Sequence, residues 1–297
     1  MNSTCVLMQI IRFHLVLVAL LLCACVSAVA HAQAPALATD INETIVSIPM
    51  IADGKPNGTH MVGTAFKPDG AGPFPFVVLN HGRFSADRAR TPRWRYIDTS
   101  RWLVKRGYVV LVLTRRGYGD TGGADVERSF NCNNPSYQEA MSGGVDSVLS
   151  AVEYAKTLPF VNSDRFVVMG QSVGGFLSVG VGAVNPKGLV AIINFAGGHG
   201  GRSDRDPGNP CATERLKRVC ADAGKTSRIP ALWVYTENDQ YFGPVHTKEW
   251  HQAFSAAGGK ADFRLLPPFA RDGHTLFTSG SKIWRPLVEE FLNSVGF

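Results

Sequence analysis

The sequence lacks the patterns that mark several classes of protein. Charged residues make up 18% of its 297 residues, and it contains no internal repeat. It has no Lys/Arg stripe interleaved with aromatic residues, so a nucleic-acid-binding surface is not predicted. The net charge of +6 mildly favours anionic substrates or surfaces. It also lacks a C-x-x-C pair and any His/Cys cluster with metal-ligand spacing, so neither a metal site nor a cofactor is predicted.

Cysteine is scarce beyond the N-terminal segment. Three of the six cysteines precede residue 35, which leaves Cys132, Cys211 and Cys220. In an oxidising compartment these permit one disulfide and one free thiol. A helix over 211–220 would hold its two cysteines about 13 Å apart, whereas a disulfide needs Cα atoms within about 7 Å. We therefore predict that Cys132 pairs with one of them, with Cys211 slightly favoured.

The only long apolar run lies at the N-terminus. It follows Arg12 and extends over residues 13–29, ahead of A-x-A sites formed by Ala30, Ala32 and Ala34. This pattern predicts a secretory signal peptide over residues 1–34 and a secreted or periplasmic protein with no membrane span after cleavage. A retained membrane anchor is one alternative, and lipidation at Cys25 is another. The remaining residues 35–297 form one domain, whose oligomeric state is left open.

Short β-rich segments alternate with helix-like ones along these residues. The predicted strands cover 43–50, 59–66, 75–82, 108–117, 165–171, 189–198, 230–239 and 261–268. The predicted helices cover 96–106, 139–157, 173–184, 244–256 and 281–294. The first two strands form an antiparallel pair, and the others are apolar on both faces, as in a parallel sheet covered by helices. Ligands of such α/β sheets bind beyond the carboxyl ends of the strands.

The stretch VVMGQSVGGFLSV (167–179) places a serine at one of those strand ends. A G-x-S-x-G pattern is a weak signal in a chain with 31 glycines. Here it follows a strand and opens a helix, which is the context of a nucleophile elbow. The glycines around Ser172 remove side chains that would collide in so sharp a turn. We therefore predict that Ser172 is a catalytic nucleophile, with a structural Gly-Ser turn as the alternative.

A serine nucleophile needs a histidine base, and that histidine needs an orienting carboxylate. In this architecture the chain order is serine, acid, histidine. His274 follows the last strand and is the predicted base, with His199 as the alternative. Asp239 follows the predicted strand that precedes the last one, and it is predicted to be the acid in preference to Glu237.

The oxyanion hole and the substrate cleft follow from neighbouring loops. The amide of Val173 is one predicted oxyanion donor, and the amide of Arg83 in LNHGRF is the other. Only about thirty residues separate LVAIINFAGG from PALWVYTEND, so we expect a small cap or none and an open cleft. Three aromatic residues are candidates to line it, with packing as the alternative role: Tyr118, Tyr241 and Phe242.

With G-Q-S-V-G-G, H-G-R, E-N-D and D-G-H in this order, the chain resembles the α/β-hydrolase superfamily, and within it the dienelactone hydrolase-like group. The resemblance covers about residues 43–295 and implies a mostly parallel eight-stranded sheet with helices on both faces. Dienelactone hydrolase itself uses a cysteine nucleophile, whereas this chain has Ser172. The stretch RRGYGDTGG (115–123) is similar to the R-G-x-G-x-S-x-G segment of acyl and X-prolyl peptidases, with Thr121 in place of the serine.

The predicted function is therefore that of a secreted serine hydrolase that cleaves small-molecule carboxylic esters through an acyl-enzyme. One alternative is a serine peptidase of the acyl or X-prolyl type, which would be favoured by a pocket for a free amino terminus. The other is a non-catalytic binding module on a hydrolase scaffold.

Overall fold

Eight β-strands form the centre of the protein. The computed structural model describes residues 35–52, 54–84, 87–129 and 131–297, so the predicted signal peptide lies outside the described residues. The strands are β1 (Thr44–Ala52), β2 (Lys55–Phe66), β3 (Phe74–Asn80), β4 (Val109–Thr114), β5 (Val161–Gln171), β6 (Leu189–Phe195), β7 (Ala231–Thr236) and β8 (Ala261–Leu266). Each coincides with a predicted strand to within a few residues. The first hairpin is tighter than predicted, because β1 and β2 extend into the expected turn ADGKPNG.

The strands form one mostly parallel sheet in the order β1-β2-β4-β3-β5-β6-β7-β8. Strand β2 runs antiparallel to both β1 and β4, and every pairing from β4 onward is parallel. The central strands are buried on both faces, as their continuous apolar runs predict. The predicted α/β fold is therefore confirmed.

Helices cover both faces of the sheet. They are α1 (Ile97–Val104), α2 (Tyr137–Lys156), α3 (Val173–Val184), α4 (Thr213–Thr226), α5 (Pro244–Ala256), α6 (Leu276–Ser279) and α7 (Ser281–Ser294). Alternate residues of β3 enter two separate cores. Phe76 and Val78 pack beneath α2, α3 and α5, whereas Val77 and Leu79 pack beneath α1 and α7. This alternation follows from the two-residue period of a strand.

The segment between β6 and β7 was predicted to form a small cap or none. It contains helix α4, whose residues Leu216, Val219 and Cys220 are buried in the core under α3 and α5. This helix therefore belongs to the layer that covers the sheet, and the described residues contain no separate cap domain.

The disulfide joins Cys132 to Cys211, as predicted, with Cα atoms 5.0 Å apart. Cys220 remains a free, buried thiol on α4. Burial in apolar surroundings raises the pKa of this thiol to about 12, so it stays protonated and unreactive at neutral pH.

Candidate active site

Ser172 stands at the turn between β5 and α3. Its backbone has φ 56° and ψ −126°, a conformation that is strained for a residue with a side chain. Neighbouring glycines make the turn possible. A Cβ on Gly170 would lie 2.2 Å from the carbonyl oxygen of Gly174, and one on Gly174 would lie 2.4 Å from the carbonyl oxygens of Asn80 and His81. The turn therefore has the strain and the close backbone contacts expected of a nucleophile elbow.

The loop after β3 lies against this turn. A Cβ on Gly82 would be 3.2 Å from the Cβ of Ser172, so the loop backbone passes directly beside the serine. Among the described residues, the amides of Val173 and Arg83 donate no hydrogen bond. Val173 opens a helix, where the first N–H groups have no intrahelical acceptor. Two free donors are thus available near Ser172, as an oxyanion hole requires.

His274 and Asp239 form a buried pair. The ring nitrogen Nδ1 of His274 lies 3.0 Å and 3.1 Å from the two carboxylate oxygens of Asp239. Both residues are buried, and Glu237, the rejected acid, is exposed. A carboxylate at Nδ1 fixes the tautomer in which Nδ1 carries the proton, which leaves Nε2 free to accept another.

Backbone hydrogen bonds hold the acid in place. Asp239 Oδ1 accepts from the amides of Tyr241 at 2.8 Å and Phe242 at 2.9 Å. Asp272, which precedes the histidine by two residues, accepts from the amides of His274 at 2.9 Å and Gln240 at 3.0 Å. It thereby joins the acid loop to the histidine loop, a role that its place in the D-G-H motif did not indicate.

The histidine loop is also tied to the elbow. Gln171, which precedes the serine, donates from Nε2 to the carbonyl oxygen of His274 at 2.8 Å. The aromatic rings of Tyr241 and Phe242 pack on the His274 ring with centroids 4.3 Å and 5.5 Å away. Ser172 Oγ makes no hydrogen bond to His274 in the described chain. Such contacts are often loose without substrate and tighten when it binds.

A cavity of about 370 Å³ opens at Ser172, and we call it the serine pocket. Two of the three predicted lining residues, Tyr241 and Phe242, do line it. The prediction for Tyr118 is wrong, because its side chain is fully buried and its hydroxyl donates to Glu127 at 2.9 Å. The pocket's other lining residues are Arg83, Phe84, Ser172, Val173, His199, Gly200 and Gly201.

Glu127, which accepts the hydrogen bond from Tyr118, belongs to a buried ion pair that supports the loop after β3. Arg115 and Glu127 are both fully buried, and Arg115 Nε lies 2.5 Å from Glu127 Oε1. Arg115 also donates from Nη1 to the carbonyl oxygen of His81 at 2.6 Å, one residue before Gly82. Arg115 is the first residue of the RRGYGDTGG stretch, so this motif contacts the site by holding the backbone of the loop after β3.

His199, the alternative base, is unsuited to that role. It is buried, with Nε2 at 2.9 Å from the carbonyl oxygen of Glu127 and Nδ1 at 3.4 Å from the hydroxyl of Ser129. Burial lowers the pKa of His199 to about 4, so its ring stays neutral near pH 7. His199 therefore forms a wall of the serine pocket and lacks a free nitrogen for proton transfer.

The part of the chain that the structure describes holds no group of three His, Cys, Asp or Glu side chains arranged to bind a metal ion. Nor does any helix within it have the length and hydropathy needed to span a bilayer.

Comparison with known proteins identifies the family. The sequence model of the dienelactone hydrolase family matches residues 61–282. A curated relative, dipeptidyl peptidase family member 6 of Caenorhabditis elegans, is 29% identical over 133 residues, which are 41% of this chain but only 16% of that protein.

Solved structures share the fold. An esterase from Pyrococcus furiosus has a TM-score of 0.59 at 17% identity, with 86% of this chain and 94% of that chain covered. The acylaminoacyl peptidase of Pyrococcus horikoshii has a TM-score of 0.58 at 14% identity, with 85% of this chain but 41% of that chain covered. At these identities the likeness concerns the α/β-hydrolase fold. The family match covers most of the chain, and this protein therefore belongs to the dienelactone hydrolase family.

Proposed function

We propose that this protein is a serine hydrolase of carboxylic esters, with Ser172 as nucleophile, His274 as base and Asp239 as the orienting acid. The observation that carries the proposal is the buried contact between His274 Nδ1 and Asp239, held beside a strained serine whose neighbouring amides are free. These are the parts of an acyl-transfer site, in the chain order expected for this fold. No cofactor takes part in this chemistry.

The reaction proceeds in two halves. Nε2 of His274 accepts the proton of Ser172 Oγ as that oxygen attacks the ester carbonyl carbon. The tetrahedral intermediate collapses, the bond to the alcohol oxygen breaks, and His274 returns the proton to the departing alcohol. Water then attacks the acyl-enzyme with the same base, releases the carboxylic acid and restores Ser172.

The amides of Val173 and Arg83 stabilise the negative charge that develops on the carbonyl oxygen. In a serine protease from which one such donor was removed, the transition state lost about 3 kcal/mol of stabilisation. The buried Arg115–Glu127 pair keeps the Arg83 amide in place, since Arg115 holds the carbonyl of His81 at 2.6 Å.

A peptidase that acts at a free amino terminus is the alternative, and the charge near the serine disfavours it. A second cavity adjoins the serine pocket and shares Arg83, Gly200 and Gly201 with it. Its lining includes four arginines (Arg83, Arg88, Arg128 and Arg202) and one acidic residue, Asp125. This excess of positive charge repels an ammonium group, so the site suits esters better than free peptide amino termini.

Turnover of model substrates tests the proposal. Residues 35–297 are expected to hydrolyse p-nitrophenyl acetate and butyrate faster than aminoacyl p-nitroanilides, with rates measured by release of the nitrophenol or nitroaniline chromophore. Among esters of increasing acyl length, long chains such as decanoate should react slowly, because a chain that outgrows the serine pocket meets the four arginines of the adjoining cavity, which do not favour an uncharged alkyl group. Faster anilide cleavage would support the peptidase, and a folded protein inert to all of these would support a binding module.

We further propose export from the cytoplasm with removal of residues 1–34, on the evidence of the apolar run and the A-x-A sites. The Cys132–Cys211 disulfide supports this proposal, because disulfides persist mainly in oxidising compartments. N-terminal sequencing of exported protein should begin between His31 and Pro35. An intact Met1 or an acylated Cys25 would contradict it.

A further inference from the structure

The cavity beside the serine pocket is larger than the pocket itself, at about 460 Å³ against about 370 Å³. We call it the side cavity. One wall comes from residues within 125–129 and 131–137, the other comes from residues 200–202 and Cys211, and the Cys132–Cys211 disulfide joins the two walls. Because the two cavities meet at Arg83, Gly200 and Gly201, a substrate bound at Ser172 can extend into the side cavity.

Positive charge is only partly neutralised there. Asp125 accepts hydrogen bonds from Arg83 at 2.8 Å and 2.6 Å, and Arg88 lies 3.0 Å from the same carboxylate. Burial would raise the pKa of the Asp125 carboxyl, but the bonds to Arg83 and the charges of both arginines outweigh burial and hold that pKa below its usual value. One carboxylate thus balances two guanidinium groups, which leaves a net positive charge in this trio.

Arg202 adds a cation that has no side-chain partner among the described residues. Within the described residues its guanidinium group makes no salt bridge and no hydrogen bond, and its Nε atom is buried. Leaving a buried donor of a charged group unsatisfied costs free energy, so residues of this kind are commonly paired. An anion bound in the side cavity would supply that partner.

The walls also carry groups suited to an oxygen-rich ligand. Ser129 and Asn131, whose side chains carry a hydroxyl and an amide, belong to the lining, and so does Tyr137. Tyr137 is itself fixed, because its hydroxyl donates to the carbonyl oxygen of Cys211 at 2.5 Å. The disulfide and this bond hold the two walls at a set separation, so the charged groups are pre-organised.

We infer that the side cavity binds an oxyanion group of the substrate, a carboxylate or a phosphate, while the ester linkage lies at Ser172. The inference rests on the proposed ester hydrolysis and names the class of ester that this site prefers. A guanidinium group makes charge-assisted hydrogen bonds to either anion, and such bonds are about twice as strong as neutral ones. The side cavity is therefore a specificity site for anionic esters.

Matched ester pairs test this inference. The first set places the charge on the acyl side and comprises the 4-nitrophenyl esters of adipic acid with the distal carboxylate free or methylated. A second set places the charge on the alcohol side and comprises 4-acetoxybenzoate, 4-acetoxyphenyl phosphate and neutral 4-acetoxybenzamide. In at least one set the protein should show a kcat/KM about tenfold higher for an anionic ester than for its neutral match at low salt. The preferred anion in the second set distinguishes carboxylate from phosphate recognition.

Arg202→Gln should lower this anionic-to-neutral ratio about tenfold. Arg205→Gln is the matched control, because Arg205 lies on the same loop with its side chain 73% exposed and outside the cavity lining. It removes the same charge and should leave the ratio unchanged. Circular dichroism should confirm that both variants fold.

An equal fall in both variants would mean that only the overall charge matters, and it would overturn the inference, as would a wild-type ratio near one in both sets. Failure of the proposed function looks different, because then no ester, neutral or anionic, is hydrolysed.

Discussion

Replacing Ser172 with alanine is expected to lower kcat for p-nitrophenyl butyrate by about 10⁶-fold, the loss seen when a serine protease loses its nucleophile. The variant keeps the oxyanion amides and the pocket, so only weak residual catalysis remains. Its fold should be intact, because the Ser172 side chain makes no hydrogen bond within the described chain and alanine removes only the hydroxyl. His274→Ala should cause a similar loss, and the double variant should be no worse than either single one.

Ser178→Ala is a matched control on α3, the helix that follows Ser172. The hydroxyl of Ser178 is buried and donates to the carbonyl oxygen of Gly174 at 2.9 Å, so its loss should cost about 1 kcal/mol of stability and little activity. A fluorophosphonate probe gives a second measurement, because peptide mass mapping should place the adduct on Ser172. A folded Ser172→Ala enzyme that keeps more than about a hundredth of its kcat would contradict the assignment.

Replacing Asp239 with asparagine is expected to lower kcat by about 10⁴-fold, as in the serine-protease precedent. Asparagine can keep its oxygen toward the amides of Tyr241 and Phe242, which now bond to Asp239 Oδ1. Its NH₂ group then faces Nδ1 of His274 as a donor. The imidazole responds by carrying its proton on Nε2, and in that tautomer it cannot accept the proton of Ser172.

Two neighbouring carboxylates provide controls for this variant. Glu237 is exposed and two residues away, so Glu237→Gln should stay near wild-type activity. Asp272→Asn should have an intermediate effect, since Asp272 positions the backbone of His274 and Gln240 without touching the ring. Steady-state kinetics on folded variants check all three. If Asp239→Asn kept its turnover while Glu237→Gln lost it, the acid assignment would be wrong although the serine assignment would stand.

Most of the secondary structure could be predicted because its signals are local. Short β-rich segments identified all eight strands, and the last six of them were also predicted to be apolar on both faces. Helix-like segments identified α1, α2, α3, α5 and α7. Helix α4 was treated only as a conditional helix, because its charged sequence TERLKRVCADAGKT has a narrow apolar stripe. What buries that stripe is the packing of α4 against α3 and α5, which are distant in the chain.

The sequence by itself determined the elbow and the order of the three candidate catalytic residues. The strand, the glycines and the helix around Ser172 lie within about twenty residues, so short-range sterics decide that turn, and the strand ends place Asp239 and His274 at the same edge of the sheet. Tertiary structure decided the rest. It buried Tyr118 against Glu127, and it placed Arg83, Arg88 and Arg202 around one cavity, whose lining also includes the disulfide-bonded Cys132 and Cys211. These outcomes depend on how loops from distant parts of the chain pack and pair their charges, and no local pattern in the sequence encodes such long-range contacts.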